Sequence, residues 1–248
     1  MKDRINRLLR EYQNNPCRLH ACALWKTLKN IEEYDLVVSD KVIRISNETM
    51  VHLDYYPDEP SSFSNSDLTN LRLLILHQDQ LNNAPKDEFE THEKYFRLKY
   101  NGKHSKEIHH HFITKTVDVE TELESVSEFI GKCYADLHPS PEYFLRCTQE
   151  AVFDHRLWIW IIDPFTEKKV GLGIAEYDPI TGEGSLDWIQ VLPAEHGKGI
   201  GSILVNELVC RLNTQAKFIT VAGKSKIAER LYRKCGFTGD DVWHVFTK

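Results

Sequence analysis

The segment Val191-Leu192-Pro193-Ala194-Glu195-His196-Gly197-Lys198-Gly199-Ile200-Gly201-Ser202 constrains the fold more than any other stretch of the chain. A strand-like run, Ser185 to Leu192, leads into it. A helix with Ile200, Ile203, Leu204, Leu208 and Leu212 on its apolar face leads out. Three glycines at alternate positions remove the Cβ atoms that would hold an anion off the main chain. The first helical turn adds unpartnered N–H groups and the positive end of the helix dipole, so the segment reads as a phosphate cradle. A single glycine would be ordinary in a strand–helix turn. Three of them beside Lys198 are harder to dismiss. Two familiar phosphate loops fail on spacing. A G-x-G-x-x-G fingerprint from Gly197 meets Ser202 and one from Gly199 meets Leu204, while Gly223-Lys224-Ser225 lacks the first glycine of a Walker loop, where Phe218 stands.

The flanking segments supply the layers that such a turn needs. Phe112 to Val119 alternates as a strand, and Glu120 to Ala135 sets Leu123, Val126, Phe129, Ile130 and Tyr134 on one helical face. Pro141 to Phe153 reads as a second helix with proline in its first turn. Leu157 to Ile162 is apolar throughout, as in a strand covered on both faces. Val170 to Tyr177 and Ser185 to Leu192 form a hairpin; a strand at Phe218 to Ala222, a helix and a last strand at Val242 to Thr247 close the chain. Upstream the pattern is patchier: a helical start to about Lys29, strands at Lys41 to Ile45 and Thr49 to Leu53, a loop from Pro57 to Asp67, a helix over Leu68 to Leu81 and a strand at Tyr95 to Tyr100. The chain of 248 residues changes character near residue 105, so the expected division is an N-terminal α+β accessory region, 1–105, and an α/β domain, 106–248.

Composition excludes several classes. Lys and Arg number 31 against 37 Asp and Glu, a net charge of -6, which argues against a nucleic-acid surface. No apolar run approaches the roughly 18 residues of a membrane span, and Met1 to Asn6 lacks a signal-peptide core. The expected location is the cytoplasm, where the six scattered cysteines stay reduced. Cys17 and Cys22 read as packed thiols and His109-His110-His111 as a solvated turn, so no metal site is expected.

The glycine segment resembles the coenzyme A loop of the GCN5-related N-acetyltransferase (GNAT) superfamily, Arg/Gln-x-x-Gly-x-Gly/Ala, with His196 at the first position where the family has Arg or Gln. A second block resembles Asn-x-x-Ala-x-x-Leu-Tyr-x-Lys-x-Gly-Phe: here it runs from Ser225, in place of the usual Asn, through Ala228, Leu231, Tyr232 and Lys234 to Gly236 and Phe237. The element order over residues 112–248 agrees as well.

What the resemblance implies is a mixed, mostly antiparallel sheet flanked by helices, and transfer of an acetyl group from acetyl-CoA to a primary amine by direct attack in a ternary complex. The amine is a small molecule or a peptide, and the protein a monomer or homodimer. The accessory region could be a degenerate second acetyltransferase-like half. The diphosphate would lie on the main chain of Gly197, Lys198, Gly199, Ile200 and Gly201, bordered by His196, Ser202 and Ser225. The pantetheine arm would run beside Ile189 and Val191. Tyr232 stands where the family has the phenol that protonates the leaving thiolate; Asp187 is the first candidate to accept the amine's proton, ahead of Glu183 and Glu176. Trp188 is expected in the core or walling a substrate pocket, and His244 on the last strand. The rival is a non-catalytic CoA-binding regulatory or interaction protein.

Overall fold

An apolar strand is stable only when both of its faces are covered, and β7 (Trp158–Ile162) meets that condition with Trp158 to Ile161 all buried. In the computed structural model, which describes residues 1–19, 23–39, 42–55, 70–83, 85–102 and 110–248, the chain forms two compact units. One comprises Met1–Lys99, Ala222–Glu229 and Thr238–Lys248; the other comprises Tyr100–Val221 and Arg230–Phe237. The units first divide at 99/100, and two later segments return to the first unit.

The second unit is built on β6 (Ile113–Thr116), β7, β8 (Lys169–Asp178), β9 (Glu183–Val191) and β10 (Phe218–Gly223). β6 to β9 pair antiparallel in chain order, and β10 joins β9 in parallel. Helices α3 (Leu123–Cys133) and α4 (Pro141–Cys147) cover one face, where Val126, Phe129, Ile130 and Phe144 pack with Trp158, Trp160, Leu172 and Ile174. Each such fully buried side chain contributes roughly 1.5–3 kcal/mol. Helix α5 (Ile200–Leu212) lies on the other face, close to the backbone because β8 presents glycines there. A Cβ on Gly171 would stand 2.9 Å from Ile200 and one on Gly173 3.0 Å from Leu204. Helix α6 (Lys226–Lys234) ends at Gly236, whose φ of +92° is the left-handed cap expected from sequence.

The first unit carries α1 (Lys2–Asn14), α2 (Leu24–Leu28), β1 (Asp35–Val38), β2 (Val42–Ser46), β3 (Met50–Tyr55), β4 (Leu73–His77), β5 (Thr91–Tyr100) and β11 (Phe237–Thr247). β1 to β3 form an antiparallel meander, β4 pairs parallel with β3, and β11 runs antiparallel to β4. The helix expected over Leu68–Leu81 is thus corrected. Its apolar run is the strand β4, with Leu74, Ile75 and Leu76 buried between two neighbours, followed by a 3-10 turn at Gln78–Asn83. A short apolar run has no period of its own to choose strand or helix, and pairing decides. Residues 68–69, the expected Pro57–Asp67 loop, Cys22 and His109 lie outside the described residues. Among the described residues no helix is long and apolar enough to cross a membrane.

Candidate active site

The glycine turn adopts the conformation its composition requires. Gly197 and Gly199 both have φ of +83°, and a Cβ at either would meet nothing within 4 Å, so the concave side of the turn is open. Gly199 caps α5, its carbonyl accepting from the N–H groups of Ser202 (2.9 Å) and Ile203 (3.2 Å). The five preceding amides, Gly197 through Gly201, donate no hydrogen bond to any described residue. Five unengaged N–H groups at a helix N-terminus are a ready anion site. Gly201 has a different purpose from the other two: a Cβ there would stand 2.9 Å from Leu231, so this glycine lets α6 pack on the start of α5. Lys198 is exposed and bonded to Glu195 (2.7 Å).

The residues bordering the turn are used structurally. His196 Nε2 donates to the carbonyl of Val191 (3.0 Å), tying the loop back to the end of β9. Ser202 is buried, with its hydroxyl against the Cys235 thiol. The Ser225 hydroxyl accepts from the N–H groups of Ile227 (3.2 Å) and Ala228 (3.4 Å), capping α6. Helix capping thus accounts for the serine that stands where the family usually has Asn.

Strand β9 opens beside this turn. It pairs with β8 along its length, but its pairing with β10 ends at Leu186 and Val221. The Leu192 N–H donates to Val170 O (3.2 Å), which makes Gly171–Val191 a non-hydrogen-bonded pair, and by alternation Gly173–Ile189 is another. The N–H and C=O groups of Ile189 and Val191 consequently point away from β8, toward the opened edge. Of these, the Val191 carbonyl is engaged by His196 and by the Cys133 thiol (3.6 Å). The register also skips here: Leu186 faces Ala175 and Trp188 faces Ile174, so Asp187 is the extra residue of a β-bulge.

The bulge brings Asp187 to a small recess of about 10 Å³, room for roughly one water, lined by Phe144, Phe153, Trp158, Trp188 and Glu176, with Cys147, Val152 and Ile174. Trp188 makes edge contacts with Tyr143 and Phe144 at the margin of the core. Tyr232 is buried against Phe237. Its phenol is held well above the usual range by burial first, then by the neighbouring Tyr134, Asp187 and Cys235. Tyr232 and Asp187 therefore share one electrostatic neighbourhood, and Tyr134, whose hydroxyl accepts from Gln190 Nε2 (3.0 Å), adds a second phenol to it. Sequence reading took Tyr134 only as part of a helical face with Ile130; nothing local shows that it ends α3 beside β9. Glu183 is buried at the far end of β9, accepting from the Thr220 hydroxyl (2.5 Å), away from the bulge. His244 is in the first unit, stacked on Phe246 and bonded to His92 (2.7 Å). Among the described residues no group of three or more His, Cys, Asp or Glu could hold a metal ion.

These features define an acetyltransferase-type fold, and comparison with known proteins agrees. Residues 154–239 match the family model described as Acetyltransferase (GNAT) domain, so over this stretch the resemblance to the GNAT superfamily is shown. A GCN5-related N-acetyltransferase from Sphaerobacter thermophilus superposes with a TM-score of 0.64 at 13% identity, covering 91% of this chain and 85% of that one. A GNAT-family acetyltransferase from Colwellia psychrerythraea superposes with a TM-score of 0.62 at 11% identity, covering 100% of this chain and 97% of its own. At such identities the likeness is one of fold. No curated protein matches the chain.

Proposed function

We propose that this protein transfers an acetyl group from acetyl-CoA to a primary amine, by direct attack while both are bound. The observation that carries the reading is the set of five unengaged amides, Gly197 to Gly201, behind two left-handed glycines at the start of α5. The opened edge of β9 supports it, because Ile189 and Val191 offer main-chain groups to an extended arm such as pantetheine. Acetyl-CoA supplies the activated acetyl group as a thioester. The chain holds the diphosphate on the loop amides and aligns the two reactants, a proximity effect of roughly 7–11 kcal/mol. The Ile189 N–H on the open edge is a donor for the oxygen that gains charge as the amine attacks.

Proton movement falls to the two groups beside the bulge. An alkylammonium must lose one proton before its nitrogen can form the new C–N bond, and Asp187 is the acceptor. As the C–S bond breaks, the sulfur gains a proton from the Tyr232 hydroxyl, which its raised pKa keeps protonated through neutral pH, and the second proton shed by the new amide nitrogen returns to the Tyr232 oxygen. The first unit acts as an accessory region, in a cytoplasmic protein whose Cys17, Cys133, Cys147, Cys210 and Cys235 form no disulfide.

Calorimetric titration with acetyl-CoA tests the reading. Saturable binding is expected, abolished in Gly199→Asp, which puts a side chain and a charge into the open turn. Absence of binding to the native protein defeats the proposal. Binding without thiol release over a broad amine panel turns it to a non-catalytic CoA-binding protein.

A further inference from the structure

The opened edge of β9 at Ile189 and Val191 and the amides of Gly197 to Gly201 are joined by a short hinge. It is the 3-10 turn Pro193–Glu195, closed by main-chain hydrogen bonds from Glu195 N–H to Leu192 O (2.8 Å) and from His196 N–H to Pro193 O (3.3 Å). His196 precedes the first left-handed glycine, and its side chain reaches back over the hinge to the Val191 carbonyl at 3.0 Å. A carbonyl oxygen only accepts, which fixes a proton on Nε2 of the ring. The Cys133 thiol, from α3, donates to the same oxygen at 3.6 Å. Burial pushes that thiol up to about 11, so it stays a donor at neutral pH. Sulfur is the weaker donor, and the imidazole does most of the holding.

With two donors on its oxygen, the Val191 carbonyl is spent inside the protein. The Ile189 carbonyl and the N–H groups of Ile189 and Val191 remain for an extended arm. The His196 ring therefore fixes the spacing between strand edge and anion loop through the Val191 peptide. We propose that His196 is a positioning residue that couples the two halves of the acetyl-CoA site, keeping the pantetheine edge in register with the diphosphate loop. This rests on the acetyl-transfer reading above. A ligand held at two linked points gains from effective concentration only while those points keep the spacing its own length demands. Loosening the hinge consequently costs ligands that span it and spares those that occupy one side. A direct phosphate contact would behave differently, serving any diphosphate with or without the arm. The neighbouring ion pair of Lys198 with Glu195 (2.7 Å) ties the loop to the turn and not to the strand, and its lysine is exposed, where such pairs contribute little.

Calorimetry of the full-length protein tests the coupling with two probes. Acetyl-CoA spans the hinge; adenosine 3′-phosphate 5′-diphosphate is its nucleotide half without the arm, measured by competition against acetyl-CoA. His196→Ala and His196→Phe, which both lack the donor, are expected to bind acetyl-CoA roughly fivefold more weakly, the size of one lost hydrogen bond. Their affinity for the nucleotide half should stay within about twofold of the native value. His196→Gln restores a side-chain N–H and is expected to recover acetyl-CoA affinity to within about twofold. Weakening of both probes by one factor overturns the proposal in favour of a direct phosphate contact. Unchanged acetyl-CoA affinity in the donor-less variants overturns it as well. His196 is exposed, so both variants should melt with the native chain, and should one fail to fold the other decides. A native protein that binds no acetyl-CoA overturns acetyl transfer and the coupling together, whereas native binding with unchanged variants overturns the coupling alone.

Discussion

At the scale of single residues, the proposed mechanism is sharpest at Tyr232. Burial and the nearby Tyr134, Asp187 and Cys235 all favour its neutral form, so the phenol remains a hydrogen-bond donor well past the pH at which an exposed tyrosine ionises. It is therefore a weak acid, adequate for a thiolate and poor for a more basic leaving group. Tyr232→Phe is expected to lower kcat by roughly 10²-fold, the usual size of a lost acid contribution. Acetyl-CoA affinity should stay within about twofold, since the loop amides are untouched. Steady-state kinetics beside calorimetry checks this, and an unchanged kcat removes Tyr232 from the chemistry. The direction of the shift adds a pH signature. Because the folded pKa lies above the ordinary value, Tyr232 cannot produce a falling alkaline limb below about pH 10, the unperturbed tyrosine range. Much of this residue-scale detail was legible in sequence. Left-handed glycines and a C-terminal glycine cap are local demands, so Gly197, Gly199 and Gly236 announce themselves. Gly201 does not, because its reason is Leu231, thirty residues away. The same holds for Asp187: its bulge is a property of how β9 registers against β8, and no local pattern encodes it.

At the scale of elements, the position of α5 sets the position of the anion loop, and glycines on the sheet set the position of α5. A Cβ on Gly171 would meet Ile200 at 2.9 Å, Leu204 at 3.2 Å and Ile161 at 3.3 Å, contacts on three sides that cannot all relax. Gly171→Val is expected to destabilise the fold by about 1–3 kcal/mol, the cost of overpacking. Because Ile200 begins α5, the same change should displace the loop and weaken acetyl-CoA binding, whereas a purely structural glycine would cost stability alone. Thermal melts and calorimetry separate the two outcomes. The far end of α5 is tied by Asp154, which caps the turn before β7 and accepts from Arg156 and from Gln215 just after the helix. The Arg156 hydrogen bonds come first among the causes that hold its pKa down at about 2, against an ordinary 3.8. A depressed carboxylate stabilises the fold above its unfolded pKa and loses that contribution as pH falls through the folded one. Asp154→Asn should therefore melt lower than the native chain at pH 7, with the difference closing between about pH 4 and pH 2. A gap that stayed constant over that interval would show the carboxylate's charge to be irrelevant. The strand and helix order of this unit was readable because its amphipathic helices are long. β4 was not, since a short apolar run of four residues between two strands looks like part of a helix until its partners are known.

At the scale of the whole molecule, sequence order and structural order part company. The change of character near residue 105 suggests a chain that could be cut there, but the last strand belongs to the first unit. β11 pairs with β4 from Trp243–His77 to Thr247–Leu73, Trp243 is fully buried, and its indole N–H donates to the carbonyl of Cys17 (3.0 Å). Phe246 packs in a cluster with Val51, Leu71, Leu74 and Leu76. A fragment of residues 106–248 would carry β11 without β4, exposing Trp243 and Phe246 along an unpaired strand edge, the geometry that invites aggregation. Removal of the two aromatic anchors' surroundings alone is worth several kcal/mol, about 3–5 per large aromatic by analogy with truncation, against a total stability of roughly 5–15 kcal/mol. The fragment is accordingly expected to be aggregated or to lack a cooperative melt, even though it holds the complete anion loop. Residues 1–105 supplied as a separate chain should restore solubility and the cooperative transition, because the missing partner is a strand and its packing rather than a covalent link. Size-exclusion chromatography and thermal melts of the fragment, alone and co-expressed with 1–105, decide the matter. A fragment that melts cooperatively and binds acetyl-CoA like the intact protein would show that β11 needs no partner from the N-terminal region.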